Sequence, residues 1–394
     1  MASPETIPPA PAPPARRLIA DRHLGTYGRG VAGPTIVVVA ALHGNEPSGV
    51  TAFERVLARL QKSDPPFRGR LVGLAGNLPA LERGERFIQE DLNRIWQPRR
   101  VARYAATAWN ERSVEARQQA ELLEQLEREL ARAQGTVHFL DLHTSSAEGK
   151  PFVCIGDTLR NRDFATRFPV PVILGLEEQV DGALLEYINN QGHVTVGVEA
   201  GQHDDPASVD FHEAFLSLAL VSAGCMKADE LPRHGEMRAR LRAAGAALPR
   251  VLEVRHRHAV GPADGFRMLP GYENFHRVRA GEALAEDEGG DIHAPETGRI
   301  LLPLYQGQGD DGYFLVREFA RSWLAVSALL RHLRVGRLAP WFPGVHVHAS
   351  DANTLVVDRR VARWFTVQIF HLLGYRKKRD GGEHLLFSRR VEPA

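Results

Sequence analysis

Apolar residues in the first part of the chain alternate between short β-branched runs and longer stretches with helical spacing. Five apolar runs predict strands: TIVVVAAL (35–42), RLVGLAGN (70–77), TVHFLDLH (136–143), VPVILGL (170–176) and HVTVGVEA (193–200). The first has no polar alternation and is expected to be covered on both faces. Helices are predicted at 49–63 and at 113–134, where apolar residues recur at helical spacing among charges. The pattern continues to about residue 228 and predicts an α/β fold with a mixed, mostly parallel sheet and flanking helices.

The pattern changes beyond this region. From 251 to 319, short apolar runs are broken by Gly, Pro and Asp with little helical period, which predicts an all-β module. The last segment, from about 320 to 394, combines a predicted helix, RSWLAVSALLRHLR, with the strand-like pieces TLVVD and HLLFS.

Composition excludes several classes of protein. Lys and Arg (49) nearly balance Asp and Glu (48) in the 394 residues, so the formal net charge of +1 gives no reason to expect a nucleic acid or a membrane as partner. The basic run YRKKRDGG leaves nucleic-acid binding as a minor alternative. The Pro-rich start resembles no signal peptide and no apolar run is long enough to span a membrane, so we expect a cytoplasmic protein. Cys154 and Cys225 are expected to be buried thiols.

Polar residues follow two of the predicted strands directly. His43 and Glu46 lie where the first strand leads into a helix, and His143 ends the strand TVHFLDLH. Because ligands collect at the carboxyl ends of parallel strands, and zinc accepts nitrogen and oxygen ligands, these three residues are candidate metal ligands. Asp141 lies two residues before His143, on the same face of the strand, where it could orient that imidazole. Either histidine alone would more simply cap a loop.

Two further polar groups interrupt or follow apolar segments. Glu199 lies within the strand HVTVGVEA, and a buried carboxylate is costly unless it has a partner or a use. If it faces the metal it is a candidate general base. The segment RFIQEDLNRIW (86–96) adds the donors Arg86, Asn93 and Arg94, although it could equally be a solvated loop.

These motifs together resemble the succinylglutamate desuccinylase and aspartoacylase family, relatives of the zinc carboxypeptidases. HGNE, GN at 76–77, DLNRIW, DLHTSS and VEAGQ occur in the family's order, and the resemblance covers about residues 35 to 320. It implies a zinc carboxypeptidase-like fold with a smaller C-terminal β-domain, and one Zn²⁺ per chain bound by His43, Glu46 and His143. It also implies that Glu199 is the general base and acid.

The resemblance assigns the donors to the substrate. Arg86 would polarise the scissile carbonyl, and Asn93 and Arg94 would bind the substrate carboxylate. Asn189 occupies a position where aspartoacylases have a further arginine, and Tyr305 does not align securely with a tyrosine that they contribute from the β-domain. In aspartoacylases, the resemblance implies that this arginine and this tyrosine bind the acidic side chain of N-acetylaspartate. Neutral or apolar N-acyl amino acids are therefore expected to be accepted at least as well as N-acyl aspartate.

The predicted divisions are a disordered tail (1–17), a catalytic domain (18–231), a β-domain (232–320) and an α+β extension of unassigned role (321–394). The predicted activity is zinc-dependent hydrolysis of the amide bond in a small N-acyl amino acid or similar carboxylate. One alternative is a carboxypeptidase-like peptidase, and another is a non-catalytic binding protein that keeps the fold. The acyl group, the amino acid and the oligomeric state, including a homo-oligomer, stay open.

Overall fold

The computed structural model describes residues 21–349, 351–358, 370–378 and 384–389. The strands of this described part are β1 (His23–Tyr27), β2 (Thr35–Ala40), β3 (Arg70–Ala75), β4 (Val137–Ser145), β5 (Phe152–Cys154), β6 (Val172–Leu174), β7 (Val194–Gln202), β8 (Val251–Ala259), β9 (Arg267–Met268), β10 (Arg277–Val278), β11 (Ala283–Asp287), β12 (Gly290–His293), β13 (Gly298–Leu301), β14 (Asp311–Glu318), β15 (Val345–His348), β16 (Asp351–Asp358), β17 (Tyr375–Lys378) and β18 (His384–Arg389).

Nine α-helices and four short 3-10 helices have both of their ends in the same described ranges. The α-helices are α1 (Ser48–Ser63), α2 (Leu78–Arg83), α3 (Pro98–Ala106), α4 (Val114–Ala131), α5 (Leu159–Ala165), α6 (Leu184–Asn190), α7 (Pro206–Ala223), α8 (His234–Gly245) and α9 (Arg321–His332). The 3-10 helices are Leu92–Arg94, Trp109–Glu111, Leu176–Glu178 and Val335–Trp341.

The centre of the molecule is an 11-stranded mixed sheet in the order β1-β3-β2-β4-β7-β5-β6-β8-β14-β13-β10. The strands β3, β2, β4 and β7 are parallel neighbours, as are β5 and β6, and β6 and β8. The predicted mixed sheet with flanking helices is therefore confirmed. Because β2, β4 and β7 are parallel, their carboxyl ends meet at one edge of the sheet.

Strand β2 shows why the first apolar run has no polar alternation. Ile36 and Val38 belong to one core, together with Phe53 of α1. Val37 and Val39 belong to a second core on the opposite face of the sheet, which also contains residues of α4 and α6. Successive side chains of a strand point to opposite faces, so a strand between two helical layers has no solvent face.

The predicted all-β module does not stand apart from this sheet. Strand β8 pairs in parallel with β6, and β14, β13 and β10 extend the sheet further in antiparallel pairs. Strands β9, β11 and β12 form a separate three-stranded sheet, and β15, β16, β18 and β17 form a four-stranded antiparallel sheet that follows α9. The small antiparallel sheets confirm the predicted C-terminal β structure, whereas the four-part division of the chain stays a prediction.

Two sequence predictions fall on residues that the structure does not describe. The predicted tail at 1–17 lies outside the described residues, and the basic run YRKKRDGG lies partly outside them. Among the residues that are described, no helix combines the length and the apolar character needed to cross a membrane.

Candidate metal and catalytic site

The turn after β2 brings His43 and Glu46 toward one point. Ala41 adopts a left-handed backbone conformation (φ 56°), which ends the strand abruptly. Gly44 follows, and a Cβ there would lie 2.0 Å from the backbone carbonyl carbon of Ala80, so only glycine fits this close approach. The Glu46 N–H donates to the His43 carbonyl (3.1 Å), which closes the turn.

His43, Glu46 and His143 form one buried cluster, as their spacing along the sequence predicted. Nδ1 of His43 lies 2.8 Å from Glu46 Oε1, and Nδ1 of His143 lies 3.1 Å from Glu46 Oε2. One ligand atom from each residue lies within 4.8 Å of the others, and this is the one group of three or more potential metal ligands found in the described ranges. Two imidazole nitrogens and a carboxylate oxygen are a donor set that suits a divalent metal such as zinc.

Two buried carboxylates hold the far sides of the imidazoles. His43 Nε2 lies 3.2 Å from Asp91 Oδ1, and His143 Nε2 lies 3.0 Å from Asp141 Oδ2, the contact that their two-residue spacing predicted. With Nε2–H donated outward, each ring keeps Nδ1 as an acceptor toward Glu46, which is the arrangement that metal-binding histidines need.

The charges in the cluster favour ionised carboxylates. Burial alone would raise the pKa of Glu46, but the nearby His43 and His143 rings hold it well below its usual range. Burial would likewise raise the pKa of Asp91, and Arg86 and His43 hold it well below the usual value. An anionic Glu46 between two imidazoles fits a bound cation, so the residues present fit the metal that the family resemblance implies.

Glu199 is a candidate for moving a proton. It is the register partner of His143 across the β4–β7 pair, and it lines the same cleft. Although the residue as a whole is partly exposed, its Oε2 is buried and has no hydrogen-bond partner among the described residues. Burial raises the pKa of the Glu199 carboxyl to about 8. This carboxyl can therefore hold a proton beside the cluster.

Arg86 also lines the cleft and reaches the cluster. Its Nε and Nη2 donate to Asp91 Oδ2 (3.2 and 2.9 Å), and its Nη1 lies 3.8 Å from Glu46 Oε1. The same carboxylate, Asp91, thus holds both Arg86 and His43. Arg86 is placed to offer a positive charge at the cluster.

The segment that carries Arg86 has no regular secondary structure and is held by distant side chains. Glu115 of α4 is fully buried, and its two oxygens accept the backbone N–H groups of Ile88, Gln89 and Glu90 at 2.7, 3.1 and 3.2 Å. Gln308, in the loop before β14, accepts the N–H of Arg86 at 3.1 Å.

Asn93 and Arg94 also lie in the cleft, but each already has partners. Asn93 Oδ1 accepts the N–H of Leu184 (2.9 Å), which turns its Nδ2 toward His143 Nε2 at 3.5 Å. Arg94 Nη2 donates to Asp311 Oδ2 (2.8 Å). The structure therefore brings all seven predicted site residues to one cleft, and it adds Asp311 as the counter-ion of Arg94.

The cleft has a volume of about 160 Å³. One wall is apolar, with Leu176, Val180 and Phe314, and the carboxylates Glu177 and Glu186 also line it. Asn189 lines the cleft as well. Its Oδ1 accepts from Arg160 (3.1 Å) and Asn161 (3.0 Å), and its Nδ2 has no partner among the described residues. Tyr305 is 40% exposed and donates to the Leu269 carbonyl, and it is not among the residues that line the cleft.

Several residues of the site were not predicted. Asp91 begins the quoted motif DLNRIW, and its position beside three donors was a signal for an anionic anchor. Glu115, Gln308 and Asp311 had no such signal, because their roles depend on contacts with residues 25 to 222 positions away in the chain. His203, whose Nδ1 lies 2.8 Å from Thr144 Oγ1, was also missed.

Residues 32–218 match a family model described as the succinylglutamate desuccinylase/aspartoacylase catalytic domain. A succinylglutamate desuccinylase of Pseudomonas fluorescens is 36% identical over 67 residues, which is 17% of this chain and 20% of that protein. The same enzyme from another strain of the species is 32% identical over 117 residues, 29% of this chain and 31% of that protein. The alignments thus span about a fifth to a third of these curated relatives.

Solved structures show the same fold over more of the chain. A succinylglutamate desuccinylase/aspartoacylase from Rhodobacter sphaeroides has a TM-score of 0.54 at 19% identity and covers 74% of this chain and 87% of that one. The product-bound ectoine utilization protein EutE (DoeB) from Ruegeria pomeroyi has a TM-score of 0.53 at 20% identity, covering 73% and 87%. At these identities the likeness shows the fold.

Proposed function

Because the chain belongs to the succinylglutamate desuccinylase/aspartoacylase family, we propose that it is a zinc-dependent hydrolase that cleaves the amide bond of a small N-acyl amino acid or similar carboxylate. The observation that supports this most is the convergence of His43, Glu46 and His143 in one buried cluster. The rings contact buried carboxylates, and Glu199 and Arg86 line the same cleft.

The metal would be held by Nδ1 of His43, Nδ1 of His143 and the Glu46 carboxylate. When bound, zinc supplies a Lewis acid that polarises an acyl oxygen and makes water a stronger nucleophile at neutral pH. Three protein ligands leave coordination positions open, which is typical of catalytic zinc sites. Asp91 and Asp141 would fix the tautomers of the two histidines.

The chain's own residues supply the proton transfer and a second positive charge. In its ionised form, Glu199 would accept a proton from water at its carboxylate oxygen and return it to the leaving amine, which is general base and general acid catalysis by one group. Arg86 would donate to the acyl oxygen as negative charge develops there. Asp91 holds the Arg86 side chain, and Gln308 accepts the Arg86 backbone N–H. Arg86 therefore needs little reorganisation during the reaction.

Substrate recognition is assigned to Asn93 and Arg94, which line the cleft next to the cluster. Arg94, with Asn93 beside it, would bind the substrate carboxylate, since a guanidinium matches a carboxylate with two donors. At Asn189 the chain offers an uncharged amide, and the carboxylates Glu177 and Glu186 line the same cleft. A second carboxylate on the substrate gains no matching arginine there, which supports neutral or apolar N-acyl amino acids as substrates at least as good as N-acyl aspartate.

A panel assay tests the proposal. The zinc-loaded protein is incubated with N-acyl amino acids that differ in acyl group and side chain, and with peptides that have free carboxyl termini, and amine release is measured. We expect release from the N-acyl amino acids and none of the C-terminal residues from the peptides. Release from the peptides alone would identify a carboxypeptidase-like enzyme instead, and no release from any member would favour a non-catalytic binding protein.

The Glu199→Gln variant separates catalysis from metal binding. It should keep its zinc content and lose roughly 10²-fold to 10⁴-fold in kcat, because it removes the base and leaves the ligands. Glu82→Gln, at an exposed position of α2, is the matched control and should retain both. Loss of zinc from Glu199→Gln would show that Glu199 is a ligand and not the base.

A further inference from the structure

Helix α9 presents large apolar side chains to solvent, in addition to Leu324 and Leu330, which pack inward against the cores. Its inner side buries Ser327, whose hydroxyl donates to the Leu372 carbonyl (2.8 Å), and Arg331, which is ion-paired with Asp157 (2.7 Å). Its outer side presents Trp323 (52% exposed), Val326 (41%) and Leu329 (59%) to solvent. A surface helix normally turns its apolar stripe to the core, so the outer face of α9 is built for contact with something else.

The apolar exposure continues into the next segment. Leu333, which caps α9, is 65% exposed, and Trp341 at the end of the following 3-10 helix is 83% exposed. In the described part of the chain, eleven large apolar side chains are exposed, and eight of them lie within 323–347. We call these eight the C-terminal apolar surface: Trp323, Val326, Leu329, Leu333, Leu338, Trp341, Phe342 and Val347.

Basic residues strongly outnumber acidic residues in this region. Residues 319–350 contain four Arg and no Asp or Glu. Over 319–394 there are 13 Lys and Arg against 5 Asp and Glu, a net charge of +8, whereas residues 1–318 hold 36 against 43, a net charge of −7. The overall charge of +1 conceals this asymmetry, which is why whole-chain composition predicted no membrane partner. Arg334 and Arg337 are exposed next to the apolar side chains.

We propose that the C-terminal apolar surface docks on an anionic phospholipid membrane. Exposed Trp and Leu side chains on a short helix, flanked by Arg, are the features that place amphipathic helices in the headgroup region of a bilayer. Anionic headgroups attract each nearby Arg and strengthen partitioning by about fivefold per residue. Tryptophan and arginine are both suited to this depth, where the ring meets acyl chains and the cation meets phosphate.

A second copy of the chain fits this surface less well. In a symmetric dimer the same surface meets itself, and residues 319–350 would then bring only positive charges together. An anionic bilayer instead satisfies the apolar and the basic side chains at once.

Flotation of the full-length protein with vesicles tests the proposal. We expect binding to phosphatidylcholine vesicles that contain phosphatidylglycerol, weaker binding as salt is raised, and at least about tenfold weaker binding to pure phosphatidylcholine. The double variant Trp323→Glu, Leu329→Glu should bind the anionic vesicles at least roughly tenfold more weakly than the wild type, because two inserted apolar groups become charged. Hydrolase activity and far-UV circular dichroism should not change.

The control variant introduces two glutamates at exposed apolar positions in another part of the surface. Trp109→Glu, Val31→Glu changes two side chains of similar exposure (49% and 50%) outside the C-terminal apolar surface and should bind like the wild type. Equal binding by both double variants, or no binding of the wild type to anionic vesicles, would overturn the proposal. So would a wild-type dimer that only Trp323→Glu, Leu329→Glu dissociates, since a second copy would then cover the surface. Vesicle binding that appears only after deletion of residues 1–20 would also overturn the proposal, because that segment would then cover the C-terminal apolar surface in the full-length protein.

Discussion

The two sides of the cleft are built in different ways. On the sheet side, His43, Glu46, His143 and Glu199 are held by β2, β4 and β7 and by one tight turn. On the loop side, Arg86, Asn93 and Arg94 lie on a segment with a single 3-10 turn, which is held by side chains from α4 and from the loop before β14. Position on the sheet side follows from backbone pairing, whereas position on the loop side follows from a few buried polar contacts.

This difference predicts how the two sides respond to mutation. A change on the sheet side should remove one chemical group and leave its neighbours in place. A change on the loop side, even at a residue outside the cleft, should move the groups that contact substrate. Asp91 joins the two sides, because it contacts both His43 and Arg86.

The largest effect is expected at a ligand on the sheet side. His143→Ala should lose bound zinc and reduce activity to background, because two protein ligands do not replace the missing nitrogen. His138→Ala is the matched control, since His138 lies in the same strand with the same 8% exposure but packs against Phe164 on the other face. Elemental analysis and activity are measured together. Full zinc content in a folded His143→Ala variant would show that the cluster is not the metal site.

The next largest effect is expected at Arg86. Its replacement by Ala should lower kcat roughly 10²-fold to 10³-fold with a smaller change in KM, because the lost donor acts on charge that develops in the transition state. The zinc content should be unchanged. Arg83→Ala, on the exposed end of α2, is the control and should behave like the wild type. A change in KM alone would assign Arg86 to ground-state binding.

The Arg94→Ala variant tests recognition of the substrate carboxylate. The wild type should prefer a free α-carboxylate to the matching carboxamide by roughly 10-fold to 150-fold in kcat/KM. This range corresponds to the free energy that hydrogen bonds to a charged group contribute. Arg94→Ala should erase most of this preference with zinc still bound, and the exposed Arg99→Ala should keep it. If Arg94 acts only through its ion pair with Asp311, Arg94→Ala would lower kcat/KM equally for the carboxylate and the carboxamide. The assignment of Arg94 to the substrate carboxylate would then be wrong.

The smallest effect is expected at Glu115, which does not line the cleft. Glu115→Gln keeps the shape but weakens three charge-assisted contacts with the loop backbone, so kcat/KM should fall about tenfold and the free energy of unfolding by about 1 to 3 kcal/mol. Zinc content should not change, because the ligands lie on the sheet side. Glu124→Gln, on an exposed part of α4, is the control. Loss of zinc with an intact rate per bound metal would contradict the division of the cleft into two sides.

The sheet side could be predicted from the sequence because its information is local. The ends of apolar strand runs located His43 and His143, and Glu199 stood out because it interrupts such a run. The two-residue spacing predicted the contact of Asp141 with His143. The donors of the loop side could be given roles only through the resemblance to family motifs, since DLNRIW has no period that predicts its structure. Glu115 and Gln308 could not be predicted, because each acts on a segment 26 or 222 residues away in the chain. The polarised charge of the C-terminal segment was likewise concealed by the balanced total.

Metal titration of the chelator-treated protein tests the central claim most directly. Amine release from the best N-acyl amino acid of the panel is followed as Zn²⁺ is added to a known amount of protein. We expect activity to be absent before addition and to rise linearly to a plateau at one zinc per chain. Full activity of the metal-free protein on the same substrate would contradict this expectation.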